Sequence, residues 1–130
     1  MVQPRKNAVR KNGGNTPIIR TGRGKLRLPI FGGIAIAQSL DRTTAKKIKD
    51  DNTVINEDGS TTVDNLKMGY DSFKESLAGI EGYKDEDGNE LKCDDEFKEN
   101  ILNFNPEFFI EFTNKSSAGF ARREDVVTKN

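Results

Sequence analysis

The sequence predicts an α+β fold in which small antiparallel β-hairpins on the N-terminal side pack with three or four short helices in the C-terminal half. Between residues 25 and 63, Gly-Gly and Asp-Gly pairs separate short apolar runs, which is typical of strands joined by turns. From residue 64 onward, apolar residues recur every three or four positions, which indicates helices. The chain has 130 residues, the length of one domain. We therefore expect a flexible basic arm over residues 1–24 and a single domain over residues 25–130, helical between residues 64 and 121.

The first predicted hairpin occupies residues 25–37. Apolar residues alternate with polar ones over residues 25–30, which is the period of a half-buried strand. Pro29 lacks a backbone N–H, so this strand is expected at the edge of a sheet. Gly32 and Gly33 mark a turn or a bulge, and an apolar run follows as a second short strand.

A short helix and a second hairpin are expected next. Residues 39–49 predict one or two helical turns. The residues expected to face inward are Leu40, Ala45 and Ile48. Over residues 53–63, β-branched residues flank Asp58-Gly59, which is typical of a hairpin turn. A calcium loop framed on Gly59 is excluded, because neither its first nor its twelfth position would hold a carboxylate.

The first helical pattern of the C-terminal half begins near residue 64. Its apolar residues recur at steps of four, three and four, which places them on one helical face. They are Leu66, Tyr70, Phe73 and Leu77. Asp64 or Thr62 is expected to cap the N-terminus of this helix, and Gly79 is expected to end it.

A further hairpin is expected over residues 80–93, with its turn at the acidic residues 85–88. These carboxylates do not predict a calcium site, because an EF-hand frame on Gly88 would require Tyr83 as its first ligand. Acid–base catalysis needs carboxylates held in a cleft, whereas this turn is expected to be solvated. The segment is therefore interpreted as a surface turn.

Two helices rich in phenylalanine are expected after this turn. Asp94 caps the first, and residues 105–107 begin the second with proline at its first position. The apolar face of the first helix is formed by Phe97, Ile101 and Leu102. The second helix is apolar over more than one stripe, through Phe108, Phe109, Ile110 and Phe112. Gly119 is expected to end the second helix, with Phe120 folding back on it. Either the second helix is buried on two sides, or part of its surface meets a partner. Any single Phe is more often a core residue, but a chain this small buries four large apolar residues in five positions with difficulty.

The net charge of zero hides an uneven distribution. Residues 1–40 contain eight Lys and Arg without any acid, and the remainder contains 13 Lys and Arg against 21 Asp and Glu. The eight basic residues are Arg5, Lys6, Arg10, Lys11, Arg20, Arg23, Lys25 and Arg27. They are suited to phosphates, to an acidic partner, or to this chain's own acidic half. No aromatic residue lies among them to stack on bases, which disfavours binding to single-stranded nucleic acid.

The composition argues against an enzyme, a cofactor or a metal site. The chain has no His, one Cys and no phosphate-binding loop, so the usual bases, ligands and activated nucleophiles are missing. The lone Cys93 favours a reducing compartment. No apolar run approaches the roughly 20 residues of a membrane span, so a soluble intracellular protein without membrane contact is expected.

The second half of the chain resembles a known family. The residues that show the resemblance are Asp64-Asn65-Leu66, Phe73, Leu77, Ile80 to Leu91, Asp94-Asp95-Glu96, Ile101-Leu102, Phe109 to Phe112, Arg122-Arg123 and Lys129-Asn130. A helix, an Asp-Glu-Asp-Gly hairpin, a capped short helix and a last helix ending in basic residues and Asn resemble the small tail assembly chaperones of long-tailed bacteriophages. That family often has a Trp before the hairpin, where this chain has Ile80 or Tyr83, and the basic arm has no counterpart in it.

The resemblance implies a non-enzymatic role in the host cytoplasm during phage assembly. Such chaperones coat the tape measure protein and help tail tube subunits to polymerise around it, and they are generally absent from the finished particle. The expected partner contacts are Phe108, Phe109, Phe112, Phe120, Arg122 and Arg123. A homo-oligomer is compatible with this role.

Two alternatives remain open. The chain could be a structural or accessory protein of the virion that uses its basic arm to contact neighbouring subunits or nucleic acid. It could also be an accessory factor that binds nucleic acid, in which case binding would depend on residues 1–24 and on salt.

Overall fold

Five strands and four helices form the part of the chain that the computed structural model describes, which is residue 19 and residues 21–129, with side chains as far as residue 121. In chain order they are β1 (Lys25–Ile30), β2 (Gly33–Gln38), α1 (Arg42–Asp51), β3 (Thr53–Ile55), β4 (Thr61–Val63), α2 (Asn65–Ser76), β5 (Leu77–Glu81), α3 (Asp95–Phe104) and α4 (Pro106–Lys129). The predicted α+β class is confirmed, and three of the helices lie in the C-terminal half.

The main sheet has three antiparallel strands in the order β1-β2-β5. Strand β1 is at its edge, which confirms the position predicted from Pro29. Ile30 pairs with Gly33, so the two turn residues are Phe31 and Gly32 and not the Gly-Gly pair. On β1 and β2 alternate residues are buried, and these join the hydrophobic core, while the residues between them are more exposed.

The core lies between this sheet and the last three helices. Its buried residues are Leu28, Ile30, Ala35, Ala37, Phe73, Leu77, Phe97, Ile101, Phe108 and Phe112. The largest fully buried side chains are Phe112, Ile30 and Leu77, one each from α4, β1 and β5. The sheet and the helices are therefore held together by side chains that are distant in the sequence.

The predicted helix over residues 39–49 exists but begins later. Asp41 caps α1 by accepting a hydrogen bond from the Thr44 backbone N–H at 2.7 Å. Ile48 is buried as predicted, whereas Ala45 is exposed, because α1 meets the body along a narrow face. The predicted hairpin with Asp58-Gly59 at its turn is confirmed, and its strands β3 and β4 form a separate two-stranded sheet.

The segment after α2 differs from the sequence expectation. Asp64 caps α2 and Phe73 is buried as predicted, but Leu66 is 65% exposed. The helix stops before Leu77, whose backbone is extended because it begins β5 and pairs with β2. Gly79 therefore lies inside a strand opposite Ile36, and the prediction that it ends the helix is wrong. The hairpin expected over residues 80–93 is present only as its acidic turn, closed by a single isolated bridge between Lys84 and Glu90. Ile80 and Glu81 belong instead to β5, which pairs with β2.

Helix α4 is longer than predicted. It runs from Pro106 to Lys129 through Gly119, so the expected end at Gly119 and the fold-back of Phe120 are wrong. Gly119 costs a helix about 1 kcal/mol relative to Ala. Phe112 and Phe120 on either side of it both pack against the core, and burial on this scale outweighs that cost. The predicted cap of α3 is confirmed, since Asp94 accepts a hydrogen bond from the Phe97 N–H at 2.8 Å.

Candidate functional site

An open groove of about 900 Å³ lies where the β1–β2 turn, the segment before α3 and the junction of α3 and α4 meet. Phe31 and Phe104 both belong to its lining and are 64% and 75% exposed. We call this the Phe31–Phe104 groove. The other residues that line it are Tyr83, Lys84, Asp85, Glu86, Leu91, Phe97, Asn100, Ile101, Asn105, Glu107 and Phe108.

The floor of the groove is a cluster of rings centred on Phe108. The Phe108 centroid lies 5.5 Å from that of Tyr83, 6.1 Å from that of Phe97 and 6.4 Å from that of Phe31. All three contacts are edge-to-face, the arrangement that the charge distribution of aromatic rings favours. Phe97 and Phe108 are buried core residues, so the floor is continuous with the core and is expected to be rigid.

Tyr83 anchors the segment before α3 to the first hairpin. Its hydroxyl donates a hydrogen bond of 2.6 Å to the carbonyl oxygen of Ile30, at the end of β1. Partial burial of the ring raises the pKa of Tyr83 above its ordinary value, so the hydroxyl keeps its proton at neutral pH. This bond fixes one wall of the groove relative to Phe31.

Phe31 has an unusual backbone. Its φ is +49°, and it is the only residue other than glycine with a positive φ among those that the structure describes. The following Gly32 has a φ of +86°, so the two residues form the kind of turn that normally favours Asn-Gly. A bulky aromatic at the first position is disfavoured by its Cβ, yet it places the ring at the mouth of the groove.

The opening of the groove is negatively charged. Three carboxylates and one Lys belong to its lining. Asp85 is engaged within its own turn, where Asn89 and Asp87 donate backbone N–H groups to it at 2.9 Å, and these bonds hold its pKa below the ordinary value. Glu86 and Glu107 have neither an ion pair nor a hydrogen bond to any side chain that the structure describes.

The phenylalanines predicted as partner contacts fall into two groups. Phe108 and Phe112 are only 4% and 1% exposed, so neither ring is available as an exposed contact: Phe108 forms the groove floor and Phe112 lies in the core. Phe109 and Phe120 are half-buried and pack against the core. Arg122 and Arg123 lie in the last turns of α4, where the structure does not describe side chains.

Sequence reasoning missed the two most exposed rings at this site. The sequence could have indicated a functional role for Phe31, because a large aromatic residue immediately before Gly-Gly is an unfavourable turn residue. The indication for Phe104 was weaker, because it precedes the Asn105-Pro106 helix start and therefore lies where α3 must end. Exposed large apolar residues are present, but they are not the predicted contact residues. They are Phe31, Phe104, Ile110, Ile19, Val54, Ile55 and Leu66.

The predicted basic contacts are only partly described. Arg5, Lys6, Arg10, Lys11 and Arg20 lie outside the described residues. Arg23 donates to the Thr44 hydroxyl at 2.9 Å and lies 3.6 Å from an Asp41 oxygen, and Arg27 makes two hydrogen bonds to Glu81 at 2.6 and 2.8 Å. Lys25 begins β1. Arg23 and Arg27 are thus held by acids of this chain's own domain.

The described residues form a further concavity, of about 400 Å³ on α1, whose Lys and Asp side chains are paired with one another. No cluster of three or more potential metal ligands occurs among them, and none of their helices is long and apolar enough to cross a membrane. Cys93 is half-buried, which raises the pKa of its thiol, and its Sγ lies 3.7 Å from the Leu77 carbonyl oxygen.

Comparison of the chain with protein-family models, with curated proteins and with solved structures finds no match.

Proposed function

We propose that this chain is a non-enzymatic binding protein that holds an apolar segment of another polypeptide in the Phe31–Phe104 groove. The observation that supports this most directly is the pair of exposed residues, Phe31 and Phe104, in the lining of a groove whose other aromatic rings pack on one another. Exposed aromatic side chains beside a concave apolar surface are typical of protein–protein contacts, in which such residues supply most of the binding energy.

The backbone of Phe31 supports the same proposal. An L-residue with positive φ costs about 1–2 kcal/mol, and Asn or Gly at this turn position would avoid most of that cost. Because the Phe31 ring is 64% exposed, burial within the domain recovers only part of it. A side chain that strains the backbone without being buried is better explained by a contact with a partner.

The sequence resemblance suggests the partner. Small tail assembly chaperones bind the tape measure protein and assist assembly of tail tube subunits around it. We propose that this chain acts in that way in the host cytoplasm during phage assembly, and that the groove covers apolar segments of the tape measure protein until the tube encloses them. A groove that shields such segments from water would keep a long partner from aggregating.

Co-expression with the neighbouring tape measure protein tests the proposal. The tagged chain is expected to recover that protein in a pull-down, and Phe104→Ala is expected to reduce recovery, because truncating a central ring at an interface removes a large share of the binding energy. Ile55→Ala is the matched control, since Ile55 is 76% exposed but lies on β3 outside the groove.

Two results would contradict the proposal. If no complex with the tape measure protein forms, that protein is not the partner. If Phe104→Ala and Ile55→Ala recover equal amounts of it, the groove is not the binding site. Mass spectrometry of purified particles separates the chaperone from the virion protein: the chaperone is expected to be missing from the particle, whereas a structural protein would be present in stoichiometric amount.

A further inference from the structure

We infer that the segment bound in the Phe31–Phe104 groove carries Lys or Arg beside its apolar anchor, and that Glu86 and Glu107 receive this positive charge. The inference rests on the proposed function, since it concerns the chemistry of the partner at the same groove. It excludes an acidic or uniformly apolar segment as the preferred occupant.

The lining of the groove is negatively charged. Lys84 is its only cation, against the carboxylates of Asp85, Glu86 and Glu107, so the groove has a net charge of −2. The segment that supplies Asp85 and Glu86 also contains Asp87 and Glu90, which extends the negative region beyond the groove. A negative potential of this kind attracts cationic partners and repels acidic ones.

Removal of water from the carboxylates when the groove is covered makes their charge important for the choice of occupant. The carboxylate of Asp85 is satisfied by the N–H groups of its own turn. Glu107 lies in the first turn of α4, where the helix dipole favours a carboxylate. Neither Glu107 nor Glu86 accepts a hydrogen bond from a described side chain, so water solvates both while the groove is open. A segment that covers the groove displaces part of that water, which is unfavourable unless the segment supplies a donor with positive charge.

A basic amphipathic helix fits both requirements. Its apolar side chains reach the aromatic floor from one face, while the flexible stems of Lys or Arg extend along apolar surface to the rim. Nucleic acid does not fit, because its phosphates would meet unpaired carboxylates. The occupant is therefore a polypeptide segment with positive charge.

Two helical peptides of equal length test the inference. Both present the same Phe and Leu side chains on one face, and they differ only in having Lys or Glu at the flanking positions. Fluorescence anisotropy with the intact chain is expected to show binding of the Lys peptide that is about tenfold tighter at roughly 0.05 M salt, with a smaller difference at roughly 0.5 M salt. Equal affinity for the two peptides at low salt would overturn the inference.

Variants assign the effect to the two carboxylates. Glu86→Gln and Glu107→Gln are each expected to weaken binding of the Lys peptide by about twofold to fivefold, the range of exposed ion pairs. Glu57→Gln removes the same charge from the β3–β4 turn and is expected to leave the affinity unchanged. Glu86→Lys is expected to shift the preference toward the Glu peptide. If the groove variants behave like Glu57→Gln, the inference is wrong.

Phe104→Ala separates this result from failure of the proposed function. If Phe104→Ala abolishes peptide binding while the Glu variants have no effect, the groove binds polypeptide but does not select charge. If Phe104→Ala has no effect on a peptide that binds, the groove itself is not the site. If neither peptide binds, a basic helix is the wrong occupant, and the pull-down with the tape measure protein still decides the function.

Discussion

Tyr83 lies against Gly33 so closely that a Cβ at residue 33 would come 2.6 Å from the Cζ atom of the ring. The same ring donates its hydroxyl to the Ile30 carbonyl oxygen at 2.6 Å and packs on Phe108. Gly33 is therefore required for packing, because the absence of a side chain leaves the space that Tyr83 occupies. One wall of the groove depends on this contact.

Gly33→Ala is expected to lower the free energy of unfolding by about 1–3 kcal/mol, because the added methyl displaces a packed ring. Urea denaturation measures the change, and the displaced Tyr83 is expected to weaken partner binding as well. Gly22→Ala is the control, because nothing lies within 4 Å of a Cβ at that position. In a Tyr83→Ala background the effect of Gly33→Ala is expected to shrink, and a full additive loss would contradict the proposed contact.

Phe31→Asn is expected to separate stability from binding. Asn adopts positive φ more readily than Phe, so relief of backbone strain of about 1 kcal/mol offsets the lost contact with Phe108. The free energy of unfolding is therefore expected to stay the same or rise, while recovery of the partner falls. Strong destabilisation in thermal melting would show that Phe31 stabilises the fold. Unchanged recovery of the partner in the pull-down would show that Phe31 does not contribute to binding.

Phe112→Ala and Ile110→Ala test the division of α4 into a core face and an exposed face. Phe112 is 1% exposed, and its truncation is expected to lower the free energy of unfolding by about 3–5 kcal/mol through lost burial and a cavity. Ile110 is 56% exposed, and the same substitution there is expected to cost no more than about 0.5 kcal/mol. Similar values for both in urea denaturation would contradict the described orientation of the helix.

Stability is expected to fall at alkaline pH. Burial raises the pKa of Tyr83 above its ordinary value of 10.0, so the folded state holds the phenolic proton more tightly than the unfolded state does. This contribution is fully present below the unfolded pKa and is lost as pH rises through the folded pKa. Burial also raises the pKa of Cys93, from an ordinary value of 9.0. Because this ordinary value is lower than that of Tyr83, the stabilising contribution of the Cys93 thiol begins to be lost at a lower pH.

Thermal melting between about pH 8 and pH 11 measures this dependence. The Tyr83→Phe variant is expected to be less stable than the wild type at neutral pH by about 1 kcal/mol, because the Ile30 carbonyl loses its hydrogen-bond donor. Its stability is expected to decrease less than that of the wild type as the pH rises. Cys93→Ala is expected to remove the earlier part of the decline. Identical pH profiles for the wild type and Tyr83→Phe would show that the hydroxyl does not contribute in this way.

Turns and helix starts could be predicted because their causes lie within a few residues. Asp94 caps α3 through a hydrogen bond to an N–H three residues later, and Asp58-Gly59 turns its hairpin through its own backbone preference. Strand β5 could not be predicted in this way. Its residues 77–81 are extended because they pair with β2, some 40 residues earlier in the chain, and this pairing overrides the helical spacing of Leu77.

By itself, the sequence determined the α+β class through the change of apolar period, and it determined the edge position of β1, the Asp58-Gly59 turn and the caps Asp64 and Asp94 through local backbone chemistry. Only the tertiary structure decided which phenylalanines are available to a partner. Phe104 and Phe112 lie in similar helical segments, yet one is 75% exposed and the other 1%. The difference arises from the packing of α4 against the sheet. Burial depends on contacts with residues far away in the chain, and the local spacing of apolar residues carries no information about those contacts.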